Sequence, residues 1–396
     1  MYQRKQYATL CSRIEEPRHF IQVVAGPRQV GKTTLVKQVV ETLNIPYTME
    51  TADAVQVEDK KEWVANIWES VRQKMLFNGQ TEHLLVIDEI HKIENWSEKV
   101  KREWDDDTFY NRNIKVVLLG SSRLLLMKGL TESLMGRFEL IRMPHWNYQE
   151  MHDAFGWNIH QYIYFGGYPG GATLINDENR WKQYVLDAII SPSIEKDVIL
   201  TSTIYKPTLM RNLFDLGCAY SGEELSLNKI VGQLQDVGNV TTLSNYLSIL
   251  RECNLLAGLQ KFAKDKARKY SSVPKFQVYN SALLSALNDI NYEQAFSDSK
   301  LWGRWVETAI GAYLINNADL IGYKLYYWRE SSNEVDFILE RRGETIAIEV
   351  KSGRRTTNKG LPLFREQYLP RHAIVVGSGG IAIEDFLKMD LIKLWK

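Results

Sequence analysis

Gly26-Pro27-Arg28-Gln29-Val30-Gly31-Lys32-Thr33 reads Gly, any four, Gly-Lys-Thr, a pattern that cradles phosphate. Its flanks fit. Phe20 to Ala25 is a short apolar run, read as a buried strand. Thr34 to Leu43 has Leu35, Val36, Val39, Val40 and Leu43 at helical spacing. A strand, a glycine loop and a helix in that order aim backbone N–H groups and the positive end of a helix dipole at one anion. Gly26 and Gly31 let the backbone curl around it. Lys32 is long enough to reach the β- and γ-phosphates, and the Thr33 hydroxyl is a Mg²⁺ ligand. The expected cofactors are therefore ATP and Mg²⁺, with Gly26 through Thr34 as the cradle.

A second group of residues belongs to the same chemistry. His83-Leu84-Leu85-Val86-Ile87 is followed by Asp88-Glu89. An apolar run that ends in two acids is how a central parallel strand delivers carboxylates to the edge of its sheet. Asp88, expected beside the phosphate loop, can hold Mg²⁺. Glu89 can orient water and accept its proton. Ser121 or Ser122, after the run Ile114 to Gly120, can hydrogen-bond the γ-phosphate or the water. Arg137 is a candidate arginine finger, from its own subunit or a neighbour's. The plainer alternative for Arg137 is a structural ion pair.

Glu307, Asp336, Glu349 and Lys351 form a separate constellation. Glu349 and Lys351 are two apart on one predicted strand and so share a face. Asp336 on the neighbouring strand and Glu307 on the preceding helix could join them. Three carboxylates can hold one or two divalent metals, and a lysine can orient water. The plainer alternative is an ion-pair cluster.

These groups need elements to position them. Strands at 20–25, 45–50, 83–88, 114–120 and 138–143 alternate with helical patterns, which predicts an α/β domain over residues 1–145. Its parallel sheet would carry helices on both faces. From Tyr148 helical patterns dominate, interrupted by the glycine-rich turn Tyr164 to Gly171. This predicts a helical connector over 146–220. Residues 221–295 read as a winged helix-turn-helix, with helices at 225–234 and after Thr241 or Thr242, then a wing from Leu255. Its strip Lys261 to Lys269 has five basic residues against one acid, counting Lys261, Lys264, Lys266, Arg268 and Lys269 against Asp265. That strip is a candidate DNA contact, with a solvated loop as the alternative. Residues 296–396 are expected as a second α/β unit, with Arg341-Arg342-Gly343 turning between two strands.

The bulk numbers exclude some roles. A net charge of +1 leaves no global field to attract nucleic acid or acidic lipid, so any such contact must be local. Cys11, Cys218 and Cys253 form no metal or disulfide pattern, and the chain is expected in the cytoplasm with reduced thiols. No run approaches the ~20 apolar residues of a membrane span, so no membrane partner is expected.

Gly26 to Leu35, Val86-Ile87-Asp88-Glu89-Ile90-His91, Leu118 to Ser122 and Leu134-Met135-Gly136-Arg137 together resemble the prokaryotic AAA-type ATPases of the GPRQVGKTT kind. The Phe-Gly-Gly-Tyr-Pro-Gly turn and the Glu-Val-Asp and Glu-Val-Lys segments resemble the domain of unknown function that usually follows. The resemblance implies ATP binding and hydrolysis without supplying a cellular role. One departure is Pro144-His145-Trp146-Asn147-Tyr148, where Pro-Leu-Ser-Phe is more usual. The Glu307, Asp336 and Glu349-x-Lys351 set is similar to the PD-(D/E)XK nuclease core. Three readings follow: an ATPase whose nucleotide state controls its other domains, an ATP-regulated DNA nuclease, and a nucleotide-dependent interaction switch. The first is preferred, because Glu89 supplies a base that pure binding does not need. The candidate partners beyond ATP are DNA and further copies of the chain.

Overall fold

The computed structural model describes residues 2–56, 59–121, 123–199, 204–233, 239–263, 272–353 and 359–396. The chain divides into two compact units, Met1–Pro144 and His145–Lys396.

The first unit is built on β1 (Ile21–Ala25), β2 (Tyr47–Thr51), β3 (His83–Asp88), β4 (Ile114–Gly120) and β5 (Phe138–Arg142). They form one five-stranded sheet in the order β2-β3-β4-β1-β5. Every pairing is parallel. Its three inner strands are buried at every residue, as their unbroken apolar runs require of strands covered on both faces. One face carries α3 (Trp63–Asn78), α4 (Trp96–Phe109) and α5 (Arg123–Ser133). There Trp68, Val71, Val100, Trp104 and Leu130 pack on Ile21, Val23, Leu85, Ile87, Val116 and Leu118. The other helices, α1 (Gln6–Glu15) and α2 (Lys32–Thr42), pack together and bury Leu10, Ile14, Leu35, Val36 and Val39.

β3 is not next to β1, because β4 lies between them. A parallel sheet allows this, since each crossover helix can return the chain to a non-adjacent position. The parallel register still brings the ends of β1, β3 and β4 to one edge.

The second unit opens with α6 (Tyr148–Phe155), α7 (Ile159–Phe165) and α8 (Glu178–Tyr184). The glycine turn after α7 is a tight connector: Gly166 has φ +71°, and a side chain on Gly167 would strike the Trp146 carbonyl. Further on, α9 (Pro207–Ala219), α10 (Leu227–Gln233) and α11 (Val240–Glu252) lead to β6 (Leu256–Lys261) and β7 (Lys275–Val278). Asn239, rather than Thr241 or Thr242, caps α11, its side chain accepting the Thr242 N–H at 2.8 Å. Two helices and an antiparallel hairpin are thus present where a helix-turn-helix and wing were expected. The hairpin does not stand free, because β6 pairs in parallel with the later β8 through Gln260–Tyr326 and Lys261–Tyr327. Residues 264–269 of the basic strip lie outside the described residues.

After α12 (Ser281–Ala286) and α13 (Tyr292–Ser297) comes α14 (Ser299–Ile321), capped by Asp298, which accepts the N–H groups of Lys300 and Leu301. Next are β8 (Lys324–Glu330), β9 (Asn333–Arg341), β10 (Glu344–Lys351), α15 (Gly360–Tyr368), β11 (His372–Gly377) and α16 (Ile383–Lys388). The six-stranded sheet runs β11-β10-β9-β8-β6-β7. Arg342 and Gly343, at φ +52° and +84°, make the two-residue turn between β9 and β10. Positive φ at both central residues matches the twist of a tight hairpin. Phe364 of α15 packs with Trp328, Val335, Ile338 and Ala347 on one face of this sheet. The other face receives α14, where a side chain on Gly311 would strike Phe337. Among the described residues, no helix is long and apolar enough to cross a membrane.

Candidate nucleotide site

Strand β1 ends at Ala25 and the backbone turns at once. A side chain on Gly26 would overlap the Met143 carbonyl at 2.2 Å, so only glycine fits between β1 and the chain leaving β5. Gln29 and Gly31 are both left-handed, at φ +59° and +89°, which curls the loop before α2 begins at Lys32. Lys32 is buried, and its ammonium donates to the Gly26 carbonyl at 2.9 Å and the Pro27 carbonyl at 2.8 Å. The charge is therefore held over the loop, where phosphate oxygens would compete for it.

Thr33, on the first turn of α2, donates its hydroxyl to Asp88 Oδ2 at 2.8 Å. The other Asp88 oxygen accepts the Glu89 N–H at 2.9 Å. Burial pushes the Asp88 pKa up, and the Thr33 hydrogen bond pulls against it. A desolvated carboxylate beside a hydroxyl is a donor pair suited to a hard cation. Thr33 and Asp88 thus fit Mg²⁺, and Gly26 through Thr34 with Lys32 fit a polyphosphate.

Glu89 stands just past β3 in a left-handed conformation, φ +51°. Non-glycine residues adopt it only where surrounding contacts enforce it. Here Glu89 Oε2 accepts both the Ser121 N–H at 3.1 Å and the Ser121 hydroxyl at 3.0 Å, and His91 Nδ1 lies 3.2 Å away. Ser121 follows β4, so the intervening strand supplies the group that fixes Glu89. Ser122 lies outside the described residues.

Arg137 is placed elsewhere. It precedes β5, and its carbonyl accepts the N–H of Ile21 at the start of β1, so it lies at the edge of the sheet opposite the loop. The length of a five-residue strand, roughly 16 Å, separates it from its own subunit's phosphate cradle. Its guanidinium makes a two-pronged ion pair with Asp105, at 2.7 and 3.1 Å. A finger role within its own subunit is thus out of reach.

Residues 18–152 match the family described as AAA domain. They form an AAA-type P-loop ATPase domain. Residues 156–294 and 302–390 match two domains of unknown function, DUF8612 and DUF4143. Among solved structures, the Walker-type ATPase PABY2304 of Pyrococcus abyssi is similar over 72% of this chain and 96% of its own, at 11% identity and a TM-score of 0.50. At that identity the likeness shows the fold alone. The RuvB Holliday junction branch migration motor of Thermotoga maritima covers 67% of this chain and 90% of its own at 19% identity, but its TM-score of 0.34 is too low to inform the fold. No curated protein matches the chain.

The second constellation is not assembled. Between β8 and β9 the register slips: Tyr326 pairs with Ile338, yet Trp328 pairs with Val335. Asp336 and Phe337 therefore stand together opposite Tyr327, which is a β-bulge. The bulge turns the Asp336 side chain to the Phe337 side of the sheet, towards α14. Glu349 and Lys351 alternate with Ile348, the partner of Phe337, and so lie on the other face with Ala347. On the α14 face Asp336 meets Glu307, but Lys275 of β7 sits with them. Its ammonium is 2.5 Å from Glu307 Oε1 and 3.8 Å from Asp336 Oδ1. Among the described residues, no group of three or more His, Cys, Asp or Glu side chains is placed to hold a metal. The metal set Glu307, Asp336, Glu349 and Lys351 expected from spacing is corrected accordingly. In its place stands a cavity of about 290 Å³ lined by this ion-pair cluster together with Glu224, Tyr327 and Arg329. Burial works against the Lys275 ammonium, but Glu307 and Asp336 outweigh it and push its pKa up. Burial, and then the Glu307 charge, push Asp336 up to about 7.

Sequence reasoning passed over Lys275, because nothing in the spacing of Lys275-Phe276-Gln277-Val278 separates it from any strand lysine. It also passed over Arg4. That buried guanidinium donates to the Val30 carbonyl in the phosphate loop at 3.1 Å and to the Pro144 carbonyl at 3.0 Å.

Proposed function

We propose that the first unit binds ATP with Mg²⁺ at Gly26–Thr34 and Asp88 and hydrolyses it, and that its nucleotide state controls the second unit. The observation that carries the reading is the 2.8 Å contact between Thr33 and Asp88. Two residues 55 positions apart in sequence are brought together at the mouth of the phosphate loop, each of a type that ligates Mg²⁺. Magnesium, when bound there, would neutralise and orient phosphate charge. Lys32 would exchange its loop carbonyls for phosphate oxygens. Glu89 is the base in this reading: its carboxylate takes the proton of the attacking water, and Ser121 holds it in orientation. A protein that only bound nucleotide would need Asp88 but not Glu89.

Control of the second unit is supported by Arg4, which joins the phosphate loop to Pro144, the last residue of the first unit. A loop that shifts when phosphate binds would pull on the point where the chain passes onward.

Steady-state ATP turnover tests the proposal. Lys32→Ala should reduce turnover to background, and a variant matching the parent would remove the loop from the chemistry. The same assay with and without DNA sorts the partners. Stimulation favours a nucleic-acid partner, and indifference favours a protein.

A further inference from the structure

The first unit carries an apolar surface at the edge of its sheet remote from the nucleotide loop. Leu76 and Phe77 end α3, Phe109 ends α4 with Tyr110 after it, and Met135 follows α5. Each of these helices runs back to the start of the next strand, so all five side chains gather at the amino edge of the sheet. They are 79%, 83%, 78%, 58% and 72% exposed. The three helix ends are tied side by side. Arg72 of α3 bonds Glu103 and Asp107 of α4, and Arg137 bonds Asp105 of α4. The rings of Phe109 and Tyr110 meet edge to face at 4.9 Å, and the Arg112 guanidinium lies over Tyr110 at 4.7 Å.

Five large side chains exposed to this degree present on the order of 700 Å², close to the ~800 Å² each partner contributes to a stable interface. Patches of this size on a soluble unit mark an interaction site. The arginines that tie the helix ends together are matched by acids within the chain. Arg72 pairs with Glu103 and Asp107, Arg102 with Glu103, Arg112 with Asp106, and Arg137 with Asp105, four arginines against four carboxylates. The surface thus offers no excess charge to select an oppositely charged partner. Apolar groups ringed by internally satisfied ion pairs complement a copy of themselves. The chain also leaves the unit at the other edge, through Met143 and Pro144 after β5.

We infer that this amino edge is a two-fold interface between copies of the chain, with Phe77 and Phe109 at its centre. A two-fold contact buries the same patch on both partners. It would leave each phosphate loop at the edge of its own sheet remote from the contact and hold Arg137 of each copy near the contact.

The test is the mass of the full chain in solution by sedimentation, at about 100 μM, where an interface of this size holds a dimer. The expected result is two chains for the parent and one for the Phe77→Asp/Phe109→Asp double variant. Both side chains are exposed in the single chain, so the variant should keep the parent's far-ultraviolet circular dichroism and a cooperative unfolding transition. If it does not, Leu76→Lys/Met135→Lys makes the same test. Tyr205→Asp, at a residue 85% exposed in the second unit, should leave the dimer intact. A parent that sediments as one chain overturns the inference. So does a folded edge variant that stays dimeric, or a Tyr205→Asp variant that comes apart.

Discussion

The chain holds two sets of acids that look equally chemical in sequence, and the fold treats them in opposite ways. Asp88 and Glu89 meet Thr33 and Ser121 because parallel strands end together at one edge, and each loop leaving that edge adds its side chain to a common point. Asp336 and Glu349 also lie on neighbouring strands, but a one-residue slip sends them to opposite faces. An arrangement at strand ends tolerates changes in strand order, since β4 comes between β3 and β1 without separating the group. An arrangement across strand faces tolerates no change in register, since the side-chain period is two.

The comparison can be broken or sharpened by measurement. The largest effect is expected at the first site. Glu89→Gln should keep nucleotide binding and lower ATP turnover by roughly 10² to 10⁴, the range of a lost general base. Turnover within a few fold of the parent would give Glu89 a structural role and make the two acidic sets alike.

Next is Lys275→Met. The Lys275 side chain is only 9% exposed, and its loss leaves Glu307 and Asp336 facing one another without a cation. Breaking a buried pair in this way costs roughly 3–5 kcal/mol, read from the denaturant midpoint of the second unit's transition. A loss below about 1 kcal/mol would mean that water reaches the cluster freely.

A pH-dependent effect follows from Asp336. Its folded pKa of about 7 lies above the ~4 of an unfolded aspartate. Between those values the folded unit retains a proton that the unfolded chain releases. Its contribution to stability is therefore full below pH ~4, falls as pH rises, and is gone above pH ~7. Unfolding midpoints across this window should decline for the parent and run flatter for Asp336→Asn. Parallel slopes would show that Asp336 stays ionised.

The smallest effect is expected for Arg137→Ala. Its pair with Asp105 is part-exposed, 34% and 43%, and such pairs contribute at most about 1 kcal/mol. Turnover should be unchanged. A loss as deep as that of Glu89→Gln would show that Arg137 serves a neighbour's site.

Much of the first site is legible in the residues alone. The loop Gly26–Thr33, the strand before it, the helix after it and the acids closing β3 are local patterns. Each rests on a few consecutive residues whose backbone needs are particular: glycine where the chain curls, unbroken apolar runs where a strand is covered on both faces. The β9–β10 hairpin is legible for the same reason, because Arg342-Gly343 takes the positive φ angles its turn demands.

What sequence left undecided depends on contacts distant along the chain. Arg137 reads as a finger because it is an arginine near the end of a nucleotide domain. The sheet decides which edge it occupies, and Asp105 then claims it. Lys275 reads as an ordinary strand residue until pairing with β6 sets it beside Glu307 and Asp336.

The order of residues by itself determined the phosphate loop, the acids that face it and the alternation of strand and helix that carries them, because these follow from local backbone geometry and apolar period. Only the tertiary structure decided that β4 separates β3 from β1, that Arg137 stands at the far edge, and that a bulge divides the second set of acids. Register and strand order are set by the packing of whole elements, and no short stretch of residues encodes them.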